Sequence, residues 1–189
     1  MEFANIKAVT FDAGGTLIEP WPSVGHVYSA VAAELGYGAV SPEGLNQSFA
    51  KAWKIKQSFD YSRSAWFTLV EQVFAAVPCE PDVPDAPRSD ASRSHPPRSY
   101  APLSQKLFET LYERFTHTAV WRVYDDVQPT LRALRHRGYR LGVISNWDGR
   151  LKNLLSDLQL SDYFEAIVLS VDVGASRCGG VMRTAHQSL

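Results

Sequence analysis

Cysteine is scarce in this 189-residue chain, which contains only Cys79 and Cys178. Two isolated thiols supply neither the ligand spacing of a metal site nor the framework of a disulfide-stapled secreted domain. This usage is typical of a protein kept in a reducing compartment. We therefore expect a cytoplasmic location.

A surplus of charge of either sign is also lacking, since 19 basic residues face 20 acidic ones and the net charge is −1. Without a basic excess, the chain has no electrostatic signature of binding nucleic acid or an anionic membrane. No apolar run is long enough to span a bilayer, and the first residues, Met-Glu-Phe-Ala-Asn, lack the basic start and apolar core of a signal peptide. We expect neither nucleic acid nor a membrane among its partners.

The composition that is present, 45% hydrophobic and 12% aromatic residues, suits one globular domain of ordinary size with room for a small subdomain. After a short first strand, the apolar spacing and the flanking cap residues predict four helices. These helices cover residues 24–35, 41–57, 64–77 and 103–115. Ser41 is the expected N-cap of the second helix, and Pro42 lies in its first turn.

Residues 78–102 differ from their surroundings because they hold seven of the 11 prolines, interleaved with Ser, Asp and Arg. Such a stretch buries too little apolar surface to offset its ordering entropy. We expect a disordered or extended loop inside the helical region.

The second half alternates helix and strand, with helices at 127–137 and 149–158 and strands at 139–144 and 166–170. Strands that alternate with crossover helices indicate a parallel sheet with right-handed connections. The fold class is therefore predicted to be α/β. Residues 1–17 and 119–175 would form the core, and residues 18–118 a helical insertion after the first strand.

Residues 6–17 read Ile-Lys-Ala-Val-Thr-Phe-Asp-Ala-Gly-Gly-Thr-Leu, an apolar strand that runs into Asp12 on a glycine turn. The strand is apolar enough to be covered on both faces. A carboxylate at a strand's carboxyl end can attack phosphorus or carbon and form an ester that water later cleaves. The N–H groups of Gly14, Gly15 and Thr16 are candidate anion donors. The competing interpretation is that Asp12 only caps a turn or the next helix.

Ser145 and Asn146 stand at the predicted end of the second strand, directly before a helix. Backbone N–H groups at such a helix start favour an anion, and the Ser145 hydroxyl adds a donor. The competing interpretation is a Ser/Asn turn that caps the helix, and Asp148 is a plausible N-cap of the same helix.

These two segments resemble the first and second motifs of the haloacid dehalogenase-like hydrolase superfamily. The resemblance implies a Rossmann-like parallel sheet with a helical cap inserted after the first strand. It also implies that Asp12 is the nucleophile, assisted by Thr16 and Ser145, and that Gly14, Gly15 and Asn146 line the phosphate or substrate site. A Mg²⁺ ion held in part by Asp12 would be the cofactor.

The first motif departs from the family's phosphatases, which carry Asp-x-Asp-x-Thr, because Gly14 replaces the second aspartate. In those phosphatases that acid protonates the leaving group, and losing such a group costs on the order of 10²–10⁴ in rate. Haloacid dehalogenases also carry a non-acidic residue there, since a halide leaves without a proton. Gly14 therefore strengthens the case for carbon–halogen hydrolysis and weakens the case for phosphoester hydrolysis, and both reactions stay open.

The carboxyl-terminal segment departs further from the family pattern. Arg177 falls about where the family places a lysine, which makes it a weak candidate for phosphate binding, and residues 181–189 contain no Asp or Glu to serve as metal ligands. We interpret residues 176–189 as an atypical tail of a truncated chain with about three core strands. The strand before Asp12 would then be a sheet edge, open to self-association.

Three functions remain open at this stage. The first is phosphoester hydrolysis through an aspartyl intermediate at Asp12, weak or absent in this chain. The second is a non-catalytic interaction or regulatory module on the same scaffold. The third is a 2-haloacid dehalogenase-type carbon–halogen hydrolase. The corresponding partner is a small-molecule phosphoester or a haloacid.

Overall fold

The structure is a computed structural model that describes residues 6–56, 59–77 and 103–172. The predicted loop at 78–102, Arg177 and the tail at 176–189 lie outside these residues. The described helices are α1 (Val24–Glu34), α2 (Pro42–Ile55), α3 (Arg63–Ala75), α4 (Gln105–Arg114), α5 (Val127–His136) and α6 (Arg150–Asp157). The described strands are β1 (Ala8–Phe11), β2 (Ile18–Pro20), β3 (Trp121–Val123), β4 (Arg140–Ser145) and β5 (Ala166–Leu169).

The chain divides into two compact units. The first comprises Met1–Pro20, Ser58–Arg63 and Phe115–Leu189, and the second comprises Trp21–Gln57 and Ser64–Arg114. No helix in the described ranges is both long enough and apolar enough to cross a bilayer.

The first unit contains a parallel sheet in the order β1-β4-β5, which confirms the predicted α/β fold. Phe11 pairs with Val143, and Ser145 pairs with Leu169. Parallel neighbours cannot be joined by a tight hairpin, and α6 supplies the crossover between β4 and β5. This register brings the carboxyl ends of β1 and β4 together at one edge.

A second, antiparallel pair joins β2 to β3, and the sequence analysis missed it. The sequence pattern places residues 18–20 in the helical insertion, but Ile18 pairs with Val123 and the segment belongs to the first unit. Three residues are too short to show a strand period, and their partner strand lies about a hundred residues further along the chain.

The core of the first unit is formed by apolar residues of the sheet, its flanking helices and the glycine turn. Its fully buried members include Leu17, Ile18, Leu131, Val143, Leu151, Leu155, Leu160 and Leu169. Four of the six residues of the central strand β4 are buried. Hydrophobic burial of this strand and of α5 and α6 is what holds the site-bearing strand ends in place.

Strand β1 is less buried than predicted. Ala8, Val9 and Phe11 are half-buried, Thr10 is exposed, and Ile6 before them is 46% exposed. Within the described ranges β1 pairs only with β4, so its other edge has no strand beside it. The expectation of coverage on both faces is wrong for these residues, and self-association through this edge stays a prediction.

The second unit consists of helices packed through small and aromatic residues. As predicted, Ser41 caps α2 by accepting the N–H of Gly44, and Pro42 is in the first turn. Tyr28 stacks on Phe74 with ring centroids 5.6 Å apart. Burial removes the Tyr28 hydroxyl from water and raises its pKa.

Candidate active site

Asp12 and Ser145 meet where β1 and β4 end. The Ser145 hydroxyl donates to Asp12 Oδ1 at 2.7 Å, and the backbone N–H of Ala13 donates to the same oxygen at 2.7 Å. Ser145 is 3% exposed, whereas Asp12 is exposed. No donor among the described residues bonds Asp12 Oδ2. One carboxylate oxygen is therefore anchored and the other remains available to a ligand.

The turn after Asp12 is closed by its own backbone. Gly15 adopts φ 77°, a left-handed conformation that favours glycine, and its N–H donates to Ile18 O at 2.9 Å. The N–H of Thr16 donates to Ala13 O at 3.2 Å. Of the three turn donors expected to bind an anion, two are thus bonded within the turn. The N–H of Gly14 has no such partner in the described part of the chain.

Gly14 packs against an aromatic ring that the sequence analysis did not connect with it. A Cβ built on Gly14 would lie 3.0 Å from Trp147 Cζ3. Trp147 itself is half-buried, and its ring centroid lies 5.4 Å from that of Trp121 on β3. The indole of Trp147 therefore fills the space beside Gly14.

The loop after β4 carries Ser145, Asn146 and Trp147 and ends at the start of α6. Asn146 is exposed, and its side chain makes no hydrogen bond within the described ranges. Asp148 lies one residue before the observed N-cap, Gly149, so the predicted cap position is wrong by one residue. Its carboxylate nevertheless accepts the N–H of Arg150 at 3.0 Å, which is the bond expected of a capping side chain.

Asp148 and Arg150 also form an ion pair that stabilises this loop. The Arg150 guanidinium reaches both Asp148 oxygens, with Nε at 2.8 Å from Oδ1 and Nη2 at 2.7 Å from Oδ2. The Asp148 side chain is 15% exposed and the Arg150 side chain is 24% exposed. A partly desolvated, two-pronged pair of this kind constrains geometry more strongly than a single exposed contact.

The β2–β3 pair carries its own charge cluster. Arg122 on β3 forms an ion pair with Glu19 on β2. Desolvation, together with a hydrogen bond to Glu19, raises the pKa of Tyr124, the residue that follows β3.

The structure brings together most of the predicted site residues of the first unit. Asp12 and Ser145 are in contact, Gly14, Gly15 and Thr16 form the adjoining turn, and Asn146 follows Ser145. Trp147 and Trp121 are the residues that sequence reasoning missed. Trp147 does follow the second motif directly, but nothing in a single sequence pairs it with Gly14.

A magnesium ion does not fit the described residues by themselves. Mg²⁺ requires octahedral oxygen coordination, commonly from one or two carboxylates, waters and substrate phosphates. Asp12 is the sole carboxylate in its turn, and within the described ranges no cluster of three or more His, Cys, Asp or Glu side chains is arranged to hold a metal. We derive no chemical step through the ion.

The sequence of this chain is similar to known proteins over most of its length. A family model described as haloacid dehalogenase-like hydrolase matches residues 9–177. The Homo sapiens protein named haloacid dehalogenase-like hydrolase domain-containing protein 3 is 32% identical over 180 residues, which cover 90% of this chain. Its Bos taurus counterpart is 30% identical over 179 residues. The chain spans 63% of the length of each of these two relatives.

Solved structures show the same fold. The L-2-haloacid dehalogenase from Xanthobacter autotrophicus superposes with a TM-score of 0.60 at 16% identity, covering 97% of this chain and 64% of that one. A predicted phosphoglycolate phosphatase from Haemophilus somnus superposes with a TM-score of 0.54 at 16% identity, covering 89% and 64%. A neighbour from Deinococcus radiodurans, with a TM-score of 0.53 at 23% identity, covers 90% and 60% and was solved with bound phosphate and sodium. The family model, which matches residues 9–177, shows that the chain belongs to the haloacid dehalogenase-like hydrolases.

Proposed function

We propose that this chain hydrolyses a small-molecule substrate through a covalent ester on Asp12, with phosphoester hydrolysis as the first candidate reaction. The observation that carries the proposal is the asymmetry of the Asp12 carboxylate. Oδ1 accepts two hydrogen bonds of 2.7 Å, from Ser145 Oγ and the Ala13 N–H, whereas Oδ2 is bonded by no described residue. A nucleophile needs this combination of a fixed orientation and an accessible lone pair.

The first step would be attack by Oδ2 on the electrophilic atom of the substrate. The bond from Oδ2 to that atom forms, the bond to the leaving group breaks, and its electron pair departs with the leaving group. Ser145 and the Ala13 N–H hold Oδ1, which fixes the carboxylate plane during the attack. In the second step water cleaves the ester and regenerates Asp12.

Activity toward ordinary phosphoesters is expected to be weak because Gly14 offers no proton. An alkoxide leaving group needs a general acid, and the absence of one costs on the order of 10²–10⁴ in rate. No acid is present in the turn at 13–17 or in the segment at 145–147. The neighbouring Asp148 has both oxygens bonded by Arg150.

Carbon–halogen hydrolysis is the second candidate, and the contact between Gly14 and Trp147 favours it. Halide departs without a proton, so the rate of this reaction does not depend on an acid at residue 14, where Gly14 packs against the Trp147 indole. The proposed substrate is then a 2-haloacid. A cap function for the helical unit and a Mg²⁺ requirement are further proposals that rest on family membership. A cytoplasmic location is a proposal that rests on the scarcity of cysteine.

Two assays on the same preparation test the proposal. Phosphate release from p-nitrophenyl phosphate is measured with and without Mg²⁺, and halide release is measured from 2-chloropropionate. Asp12→Asn is compared with Asp157→Asn, which changes an exposed carboxylate at the far end of α6. We expect one of the two activities in the unaltered chain, its loss in Asp12→Asn and its retention in Asp157→Asn.

If a folded sample releases neither phosphate nor halide, the proposal is overturned and the non-catalytic interaction module is favoured. Folding is checked by circular dichroism and by a cooperative unfolding transition. Activity that persists in Asp12→Asn would equally overturn the assignment of Asp12 as nucleophile.

A further inference from the structure

We propose that the outer edge of β1, the edge that faces away from β4, docks onto β1 of a second copy of this chain and forms an antiparallel strand pair. This edge is complementary to itself in its backbone groups and in its flanking charges, which is why the partner is another copy. The pairing does not depend on the reaction at Asp12, and its tests measure association and amide exchange rather than activity.

The backbone of β1 directs alternate residues toward β4 and away from it. Lys7 O accepts the N–H of Arg140 at 3.0 Å, so Lys7 faces β4. Because successive residues of a strand direct their N–H and C=O groups to opposite sides, Val9 also faces β4, whereas Ala8 and Thr10 face outward. Within the described ranges no residue bonds the N–H or the C=O of Ala8 or Thr10. The outer edge therefore offers donors and acceptors to a further strand.

The side chains of β1 do not obstruct such a strand. The sequence of β1, Ala-Val-Thr-Phe, contains neither a proline nor a charge, which are the usual features that protect an edge strand from pairing. Thr10 is exposed, and Ile6, just before the strand, is 46% exposed. A second strand would remove this surface from water, and β-branched residues such as these pack well in sheets.

The antiparallel register follows from the positions of the outward residues. Pairing Ala8 of each copy with Thr10 of the other engages every outward N–H and C=O group of both strands, and the twofold axis then passes between the two Val9 residues. The same register brings the Lys7 end of each strand beside the Asp12 end of the other, so opposite charges meet. A parallel pair would instead place like charges side by side, which is destabilising.

The two copies should associate weakly and reversibly. The strand has four residues, and a pair of strands this short buries less surface than the roughly 1,200–2,000 Å² of a stable protein–protein interface. We therefore expect monomers at low micromolar concentration and a growing fraction of dimers toward millimolar concentration.

Sedimentation equilibrium over this concentration range tests the association. We expect the unaltered chain to dimerise, and Thr10→Lys to raise the dissociation constant at least about tenfold, because a lysine on an edge strand opposes pairing. Thr68→Lys is the matched control, since Thr68 is an exposed threonine of α3 in the second unit, and it should leave the dissociation constant unchanged. A chain that stays monomeric throughout, or a Thr10→Lys chain that dimerises as well as the control, would overturn the proposal.

Amide hydrogen exchange followed by NMR tests which edge is used. The N–H groups of Ala8 and Thr10 should exchange more slowly as the concentration rises, whereas the N–H of Val9, which faces β4, should change less. If Ala8 and Thr10 are strongly protected at every concentration, another segment of the same chain covers this edge and the proposal is wrong. Fast exchange of both amides in a dimeric sample would place the interface elsewhere and would equally contradict it.

Discussion

The Ser145 hydroxyl donates to Asp12 Oδ1 across 2.7 Å, although 133 residues separate the two in the chain. The bond forms because β1 and β4 are parallel neighbours and both residues stand at their carboxyl ends. The donor, Ser145, is 3% exposed, whereas the acceptor, Asp12, is exposed, so only the serine side of this hydrogen bond is shielded from water. The hydrogen bond orients the carboxylate that we propose as the nucleophile.

Replacing Ser145 with alanine should impair hydrolysis more than folding. The variant loses one hydrogen bond to a charged group, which is worth about 1.5–3 kcal/mol, or a factor of about 10 to 100 in rate. Ser48→Ala is the matched control, since Ser48 is 7% exposed and its hydroxyl donates to Val73 O in the helical unit. We expect Ser48→Ala to lower Tm without changing the rate constant. Equal activity losses in the two variants would contradict the orienting role.

The two ion pairs made by α6 should differ in their contribution to stability. Arg150–Asp148 and Lys152–Asp172 have the same closest distance of 2.7 Å, but the first pair is 24% and 15% exposed and the second 48% and 39%. We expect Arg150→Ala to lower the free energy of unfolding by about 1.5–3 kcal/mol and Lys152→Ala by less than about 1 kcal/mol.

Urea denaturation measures both changes, and Arg150→Lys supplies a further comparison. Lysine keeps the charge but not the planar fork that reaches both Asp148 oxygens, so it should restore only part of the loss. Equal losses of unfolding free energy in Arg150→Ala and Lys152→Ala would contradict the claim that burial strengthens the Arg150–Asp148 pair.

A methyl group at Gly25 should be severely destabilising. Its Cβ would lie 2.0 Å from the backbone O of Pro42 and 2.8 Å from the Asn46 amide, where α1 approaches α2. Backbone atoms cannot move aside cheaply, so we expect a loss of about 3 kcal/mol in the free energy of unfolding.

Gly149→Ala is the control for Gly25→Ala. Gly149 has φ −57° and no atom within 4 Å of a built Cβ, so its change should stay within about 1 kcal/mol. Chemical denaturation followed by circular dichroism measures both variants. A Gly25→Ala protein as stable as the Gly149→Ala protein would mean that the two helices are further apart than described.

Glu34 should make the helical unit sensitive to acid. Its hydrogen bonds with the Arg114 guanidinium, at 3.1 and 2.6 Å, hold the pKa of the Glu34 carboxyl below its ordinary value. A lowered folded-state pKa gives stability that is present above the unfolded-state pKa and is lost as pH falls through the folded-state value.

Comparing Glu34→Gln with the unaltered chain at several pH values measures this linkage. Because both side chains are partly exposed, we expect a difference of about 0.2–1 kcal/mol at neutral pH, reduced by salt and absent at low pH. A difference that grows toward low pH would have the opposite sign and would exclude this pair as its source.

Local chemistry made several elements predictable. Ser41 and Pro42 predict the start of α2, because the effects of an N-cap hydroxyl and of a first-turn proline are confined to one helical turn. The alternation of helix and strand after residue 120 predicted a parallel sheet, and the Asp12 and Ser145 motifs were expected at its strand ends. The first unit's sheet and the contact between these residues agree with that expectation.

Other features depended on pairings between distant segments. β2 and β3 are each three residues long and show no period of their own. The bonding of the Gly15 and Thr16 N–H groups inside their turn follows from the turn's backbone angles, which residue types alone do not specify.

Short motifs and local periodicity were enough to identify the family, the alternation of helix and strand, and Asp12 as the candidate nucleophile, because these features are local in the chain. The hydrogen bond that anchors one Asp12 oxygen to Ser145 and the packing of Trp147 beside Gly14 are visible only in the folded chain. Both contacts join residues more than a hundred positions apart, and they exist because sheet register and core packing bring two strand ends together.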